Sequence, residues 1–311
     1  MKITVFTPTY NRGYIIEKLY DSLKRQTCFD FEWLVIDDGS TDNTQQLFEA
    51  FQKQDNFFPI RYYKVENGGK HRAINKAANL AKGELFFTVD SDDYLPDDAI
   101  ENITKQAFKT EKKYSANSST KIAGFFGLKS YHNGNIIGKT FEGEYIDISM
   151  FEKGKYNIAG DKGEVFYTSI LKQYPYPEFE DEKFSTESIV WDRISHNGYK
   201  YRFFNKSICI CEYLNDGLTH QGWGLYAKNP KQWGLSIGQN YLFGKHSWYS
   251  VSVQLYIYHL YLRKKYSISQ LSQMTTLSKR QIRLSVLLQS SLDILRKLFR
   301  KPLVKSQYKE D

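Results

Sequence analysis

Three aspartates occur within four positions of the sequence, at Asp90, Asp92 and Asp93. They follow the apolar, β-branched stretch 85–89, which predicts a strand buried on both faces. Clustered carboxylates repel one another and need a cation or strong hydrogen-bond donors nearby. An Asp-x-Asp pair suits a hard divalent ion such as Mg²⁺ or Mn²⁺, which keeps room for substrate phosphates. A solvated turn that caps the next helix is the alternative, but delivery by a buried strand favours the metal site.

Three further polar segments follow predicted strands, at residues 7–12 (TPTYNR), 37–40 (DDGS) and 67–72 (NGGKHR). Ligands of a parallel sheet bind at the carboxyl ends of its strands, so these segments are expected at one edge. The aspartate pair can accept a hydrogen bond from a base or a ribose hydroxyl. Paired glycines followed by basic residues at a helix N-terminus attract phosphate. Neither the Walker lysine spacing nor GxGxxG is present, which argues against P-loop and dinucleotide sites.

Alternating strands and helices must position these segments. Apolar runs predict strands at 3–7, 31–36, 60–65 and 85–89, with helices at 14–26, 41–52 and 70–81 between them. This alternation predicts a Rossmann-like, mostly parallel sheet flanked by helices.

The region after residue 120 is less regular. Residues 121–131 and 135–141 suggest a hairpin around a His-Asn-Gly turn. A strand is expected at 164–167, a helix at 188–195 and a strand within 199–214. Cys209 and Cys211 lie in that last strand, and their spacing predicts buried thiols on one strand face rather than metal ligands.

Composition limits the possible classes of protein. The 311 residues are 41% hydrophobic, enough for one large domain with an extension, and carry a net charge of +8. That charge indicates an anionic partner: nucleic acid, anionic lipid or a nucleotide diphosphate. Three cysteines cannot form a disulfide framework. With no signal-peptide pattern and no run of about 18 apolar residues, the sequence predicts a cytoplasmic protein.

The order and spacing of four motifs resemble those of the family-2 glycosyltransferases, inverting enzymes with the GT-A fold. The motifs are TPTYNR at 7–12, VIDDGSTD at 35–42, ENGG with a following Asn at 66–75, and GELFFTVDSDD at 83–93. The resemblance covers residues 1–215. It implies a nucleotide-sugar-binding half at 1–109, an acceptor half at 121–215 and a mainly helical C-terminal extension at 216–311.

The resemblance also implies roles for individual residues. The donor is a nucleotide sugar, with a UDP-sugar favoured, and the acceptor is a saccharide or a lipid-linked glycan. The expected donor-binding residues are Thr7, Pro8 and Tyr10 around the base, Asp37 or Asp38 at the uracil edge, Asp90 at the ribose, and Arg12, Gly69 and Lys70. Asp92 would hold Mn²⁺ or Mg²⁺, and His220 is a weaker candidate for the metal or diphosphate. Ile74 replaces an Arg of many members, so Lys70, His71 or Arg72 must supply positive charge there.

The family places a catalytic carboxylate in an acidic pair that opens a helix, with an Arg six residues later. Glu187 fits this pattern with Arg193, although Thr186 replaces the usual first acid. As a general base, Glu187 would deprotonate the acceptor hydroxyl, and configuration would invert. Asp181 and Glu182 are rivals that are expected in a solvated loop.

The C-terminal extension suggests further functions. Residues 247–262 contain no charged side chain and predict a packed or interfacial helix. A basic amphipathic helix is predicted at about 277–301, and residues 279–305 hold eight Lys or Arg against one acid. It would either bind an anionic membrane surface, making the enzyme peripheral at the inner face of the cell membrane, or pack on the enzyme.

Two other functions compete with the transferase. Residues 267–288 resemble a helix-turn-helix, which would make the chain a nucleic-acid-binding protein. That motif is permissive and leaves residues 1–215 unexplained, so no nucleic acid is expected. A catalytically inactive, sugar-binding relative is the other alternative, against which the retained Asp90, Asp92 and Glu187 argue.

Overall fold

The chain divides into two units, each with its own core. The computed structural model describes residues 2–114, 118–212 and 222–298, so the predicted ligand His220 lies outside the described residues. The first unit comprises Met1–Glu178 and Val190–His220, and the second comprises Phe179–Ile189 and Gln221–Asp311. The segment that holds Asp181, Glu182 and Glu187 therefore groups with the C-terminal residues.

The first unit is built on one eight-stranded sheet with helices against it. Its strands are β1 (Ile3–Thr9), β2 (Phe31–Asp37), β3 (Ile60–Lys64), β4 (Leu85–Thr88), β5 (Lys121–Tyr131), β6 (Tyr145–Ile148), β7 (Lys162–Tyr167) and β8 (Tyr199–Cys211). Its helices are α1 (Ile16–Lys24), α2 (Thr44–Gln52), α3 (Lys70–Leu80), α4 (Ala99–Lys113), α5 (Thr168–Gln173) and α6 (Ser188–His196), whose first two residues belong to the second unit.

The N-terminal half of the sheet is parallel, as predicted. The strand order is β3-β2-β1-β4-β7-β5-β8-β6, and β1 pairs in parallel with both β2 and β4. The chain moves outward from β1 to β3 and then returns to the other side of β1. This reversal creates a topological switch point between β1 and β4, the place where ligands of open α/β sheets bind.

Burial on both faces explains why these strands are nearly continuous apolar runs. All seven residues of β2 are buried. Trp33 and Val35 contribute to one hydrophobic cluster, and Leu34 and Ile36 contribute to another. Successive side chains of a strand point to opposite faces, so the sheet needs apolar residues at every position.

The predicted hairpin at 121–141 is wrong in its second strand. Residues 131–135 do make the turn, in which the Tyr131 amide donates to the Asn135 carbonyl at 2.8 Å. Beyond the turn an isolated bridge joins Ser130 to Ile136, and the Ile137 amide donates to the Lys129 carbonyl at 2.9 Å. β8 occupies one edge of β5, and β7 occupies the other edge at residues 124–128, so residues 135–141 can pair only with the last residues of β5.

Within residues 222–298, the second unit forms five helices around an aromatic and aliphatic core. They are α7 (Gly222–Lys228), α8 (Pro230–Leu242), α9 (Trp248–Leu262), α10 (Ile268–Thr275) and α11 (Lys279–Leu298). α9 is a packed helix that buries Leu255 and Tyr258 against Trp233 of α8. Over the ranges that the structure describes, none of the helices has the length and hydrophobicity that crossing a bilayer requires.

Candidate functional site

Four loops follow β1 to β4 at the carboxyl edge of the sheet. They are loop 1 (residues 10–15), loop 2 (38–43), loop 3 (65–69) and loop 4 (89–98). Each contains one of the motifs singled out in the sequence. Hydrogen bonds between the loops and an ion pair at the start of α3 fix them as a set.

Asn11 fixes loop 1 to loop 2. Its φ of +53° lies in the left-handed region, which Asn tolerates better than most residues. Its amide donates to Ser40 Oγ at 2.8 Å, and its Oδ1 accepts from the Thr41 amide at 2.7 Å. The Gly13 amide also donates to Asp42 Oδ2 at 2.9 Å. These reciprocal bonds set the shape of the loop that carries Arg12.

Asp38 fixes loop 2 to loop 3. Its carboxylate accepts from the amides of Gly68 at 2.7 Å and Gly69 at 2.8 Å, and from Asn67 Nδ2 at 3.1 Å. Gly69 has a φ of +95°, a conformation that glycine adopts without strain. The Asp38 carboxylate therefore determines where α3 begins.

Asp37, the other predicted base-edge residue, is fully buried. Its Oδ1 accepts from the Ser40 amide at 2.7 Å, and its Oδ2 accepts from the Tyr62 hydroxyl. Burial, reinforced by the Asp37 charge, raises the pKa of Tyr62. The contacts of Asp37 therefore hold loop 2 in place, and Asp38 is the member of the pair with residual exposure.

The predicted base-pocket residues differ in their exposure. Thr7 is fully buried, and its Oγ1 accepts from the indole Nε1 of Trp33 at 3.0 Å. Pro8 is half-buried, and the Tyr10 ring is 49% exposed. Only Pro8 and Tyr10 therefore offer surface at this edge, and Thr7 supports the strand beneath them.

The aspartates of loop 4 differ in their partners. Lys70 Nζ lies 2.8 Å from Asp90 Oδ1. Burial alone would raise the pKa of Asp90, but the ammonium groups of Lys70 and Lys129 hold this pKa below its usual value. Among the described residues Asp92 has no ion-pair partner, and burial together with the charges of Asp90 and Asp93 raises the pKa of Asp92 to about 6.

Asp93 is buried in a cluster that sequence reasoning missed. Its Oδ2 accepts from Lys129 Nζ at 3.0 Å and from the thiols of Cys209 and Cys211, each at 3.3 Å. Both thiols are buried on one face of β8, as the sequence predicted. Contacts between loop 4, β5 and β8 depend on the strand order, so no local signal could have identified this cluster.

This arrangement fits one divalent cation. Two of the three aspartates are neutralised by lysines, and the pKa of the remaining carboxylate, Asp92, is raised by its burial and then by the charges of Asp90 and Asp93. Asp92 and the half-exposed Asp90 could supply carboxylate oxygens, the ligands that Mg²⁺ and Mn²⁺ prefer. Asp93, Cys209 and Cys211 could also contact a metal, but the Lys129 ammonium already occupies their surroundings.

Ile74 is uncharged, so positive charge in this part of the site must come from the residues at the start of α3. His71 is buried, and burial, followed by the charge of Arg72, lowers its pKa to about 4, so the ring is neutral at pH 7. Lys70 is paired with Asp90, and Arg72 Nε lies 3.6 Å from Glu178. Among these three candidates the charge therefore comes from Lys70 and Arg72.

The candidate base and its rivals lie in the second unit. Glu187 is half-buried and directly precedes α6. The expectation that Glu182 is solvated is wrong: it is buried, and its carboxylate accepts from the amides of Lys231 at 2.6 Å and Gln232 at 2.8 Å, at the start of α8. Asp181 is 85% exposed, as expected.

A family model described as glycosyl transferase family 2 matches residues 4–180. The chain belongs to this family. Curated family-2 relatives include glycosyltransferase GlyA of Streptococcus pneumoniae, 27% identical over 236 residues that cover 76% of this chain and 31% of that protein. GlyG of the same organism is 38% identical over 105 residues, 33% of this chain and 34% of that protein. The chain thus spans about a third of the length of these two relatives.

A third relative and two solved structures extend the comparison. The Campylobacter jejuni GalNAc(5)-diNAcBac-PP-undecaprenol beta-1,3-glucosyltransferase is 27% identical over 198 residues, 61% of this chain and 58% of that protein. Staphylococcus aureus TarS in complex with UDP has a TM-score of 0.55 at 20% identity, covering 88% of this chain and 70% of that chain. The Pyrobaculum calidifontis mannosyltransferase PcManGT, solved with GDP-Man and Mn²⁺, has a TM-score of 0.55 at 15% identity, covering 96% and 88%. These structures confirm the predicted GT-A fold.

The buried pair of Lys129 and Asp93 yields a stability prediction. Lys129→Met leaves the Asp93 charge buried with only thiol donors, so the free energy of unfolding in urea should fall by about 3–5 kcal/mol. The double variant Lys129→Met/Asp93→Asn removes the charge and should recover much of the loss. The prediction would be contradicted if the free energy of unfolding of Lys129→Met were within about 1 kcal/mol of the wild-type value.

Proposed function

We propose that the protein is a metal-dependent, inverting glycosyltransferase that moves a sugar from a UDP-sugar to a saccharide or lipid-linked glycan. The proposal rests mainly on the charged side chains at the carboxyl edge of β1–β4. There, Asp92 lies without an ion-pair partner among the described residues, beside two aspartates that lysines neutralise. Family membership supports the reaction class.

The four loops would bind the donor through complementary groups. Pro8 and Tyr10 would offer apolar surface to the base, and Asp38, which keeps some exposure, would accept from the uracil N–H. Asp90 would accept from a ribose hydroxyl. Lys70, 2.8 Å from Asp90, and Arg12, whose charge lowers the pKa of both Asp90 and Asp92, would face the diphosphate.

Mn²⁺ or Mg²⁺ held by Asp92, with Asp90 beside it, would supply Lewis-acid stabilisation of the departing nucleoside diphosphate. The protein's own contribution is to hold the loops at this edge of the sheet in fixed positions. Asp38 and Asn11 fix the loops, and Lys129 holds Asp93 so that the turn from Asp90 to Asp93 presents its other carboxylates outward. The mannosyltransferase of the same fold was solved with Mn²⁺ beside its nucleotide sugar, which supports a divalent ion here.

Glu187 would act as the general base. It would take the proton of an acceptor hydroxyl, whose oxygen attacks the anomeric carbon from the face opposite the leaving diphosphate, so configuration inverts. Two observations support Glu187 over its neighbours: Glu182 is buried with both oxygens bonded to backbone amides, and Asp181 lies in solvent.

The names of two relatives support the proposed acceptor class. The Campylobacter enzyme is named for an undecaprenol diphosphate-linked glycan, and a Bacillus spizizenii relative, 35% identical over 102 residues, is named for poly(ribitol-phosphate). We place this enzyme in the cytoplasm, where UDP-sugars are made, at the inner face of the cell membrane.

Replacing Asp92 tests the metal assignment. Asp92→Asn keeps the shape of the side chain but removes its charge, so it should abolish the Mn²⁺-dependent part of UDP stabilisation in a thermal-shift assay, and transfer should fall at least about 100-fold. Asp97→Asn, a 59% exposed acid of the same loop, is the matched control and should behave as wild type. The assignment would be wrong if UDP stabilised Asp92→Asn with unchanged Mn²⁺ dependence.

Replacing Glu187 tests the base. Glu187→Gln cannot take a proton, so the transfer rate should fall about 10²–10⁴-fold while the Kd for UDP stays near the wild-type value. Asp181→Asn should transfer normally. Glu182→Gln should lower thermal stability, because one backbone amide of α8 loses its acceptor, with a smaller effect on the rate. A near-normal transfer rate in Glu187→Gln would show that Glu187 is not the general base. Loss of UDP binding would indicate a role in donor binding instead.

A further inference from the structure

Helix α11 packs on the second unit through one face only. Ile282 and Ser285 are fully buried and Gln289 is 1% exposed. Gln289 Nε2 donates to Ser252 Oγ of α9 at 2.7 Å. These positions share one side of the helix, and Tyr256 of α9 is hydrogen-bonded to Asp293 on α11. The packed face therefore combines an apolar contact through Ile282 with polar contacts to α9.

The opposite face of α11 is apolar and exposed. Leu284, Leu287 and Leu288 are 49%, 65% and 42% exposed, and their i, i+3, i+4 spacing places them on one side of the helix. The sequence allowed either membrane binding by the leucines or packing of the helix on the enzyme. In the structure the helix packs on α9, and these leucines face away from that contact. Contiguous exposed apolar residues usually mark an interaction site.

Basic residues lie on the same face. Arg280 and Arg283 are exposed and occupy helical positions beside the leucines. Residues 279–305 contain one acid, Asp293, and its hydrogen bond to Tyr256 directs it to α9 rather than to this surface. Arg280, Arg283, Leu284, Leu287 and Leu288 together form what we call the docking face.

We propose that the docking face binds the surface of an anionic lipid bilayer. The leucines would enter the boundary between headgroups and acyl chains, and the arginines would pair with lipid phosphates. This inference rests on the proposed function for its membrane location and deepens it by naming the surface that makes contact.

Two other occupants fit the docking face less well. α10 and α11 are joined by a short turn in which Thr276 has a φ of +56°, so a helix-turn-helix is present, and α11 would be its recognition helix. Three exposed leucines would find few apolar partners in a DNA groove, where base edges are mostly polar. A second copy of the chain would bring Arg280 and Arg283 towards the same charges, which is unfavourable. A bilayer satisfies both the leucines and the arginines.

The test is cosedimentation of the full-length protein with vesicles, without any nucleotide sugar. One set of vesicles is phosphatidylcholine alone, and the other contains equal parts of phosphatidylcholine and phosphatidylglycerol. The wild type should bind the mixed vesicles preferentially and more weakly at high salt. Leu284→Ser/Leu287→Ser/Leu288→Ser and Arg280→Gln/Arg283→Gln should each weaken binding at least about tenfold.

Matched controls separate the docking face from general surface properties. Leu242→Ser and Leu260→Ser replace leucines of α8 and α9 that are 56% and 40% exposed, and Lys264→Gln/Lys265→Gln replaces two exposed basic residues after α9. All of these should bind vesicles as the wild type does. Thermal unfolding and hydrolysis of a soluble UDP-sugar should be unchanged in every variant, so a failure of docking is distinguishable from a failure of the transferase assignment.

Several outcomes would overturn the proposal. Equal vesicle binding by the wild type and both docking-face variants would show that lipid contact occurs elsewhere. No vesicle binding by the wild type, with duplex DNA binding that Arg280→Gln/Arg283→Gln removes, would assign the face to nucleic acid. Concentration-dependent dimerisation that the leucine variant abolishes, again without vesicle binding, would assign it to a second copy.

Discussion

Repulsion among three carboxylates at the carboxyl end of β4 is the constraint on which the site depends. The turn from Asp90 to Asp93 is stable because Lys70 neutralises Asp90 and Lys129, with two thiols, neutralises Asp93. Each lysine comes from a different part of the sheet, one from the start of α3 and one from β5. Asp92 is the carboxylate of the three that no lysine pairs with among the described residues.

Hydrogen bonds in the other loops help to position this turn. Asp38 determines where α3 begins by accepting from the amides of Gly68 and Gly69, and the start of α3 determines where Lys70 lies. Further along the same helix, Asn75 donates to the Tyr176 carbonyl at 2.9 Å and accepts from the Tyr176 amide at 2.8 Å. Helix α3 thus links loop 2, the turn from Asp90 to Asp93 and the backbone at Tyr176.

Local sequence patterns predicted the parallel half of the fold because its strands are buried on both faces and its loops carry distinct motifs. The same patterns failed at 135–141, where the turn forms but β7 and β8 occupy most of both edges of β5. They also misjudged Glu182, whose burial depends on α8, almost 50 residues later. Local sequence patterns could not predict the cluster around Asp93 either. Lys129, Cys209 and Cys211 come together only because β5 and β8 are neighbours in the sheet. The leucines of α11 were predicted as one face, but their exposure depends on which side of the helix contacts α9.

The central claim is that Asp92 and its neighbours form a site for a divalent cation that assists nucleotide binding. The most direct measurement is isothermal titration calorimetry of UDP into the wild-type protein, once with Mn²⁺ and once with EDTA. The account predicts a single site whose affinity falls at least about tenfold in EDTA, because the diphosphate then meets uncompensated carboxylate charge. Equal affinity under the two conditions would contradict it.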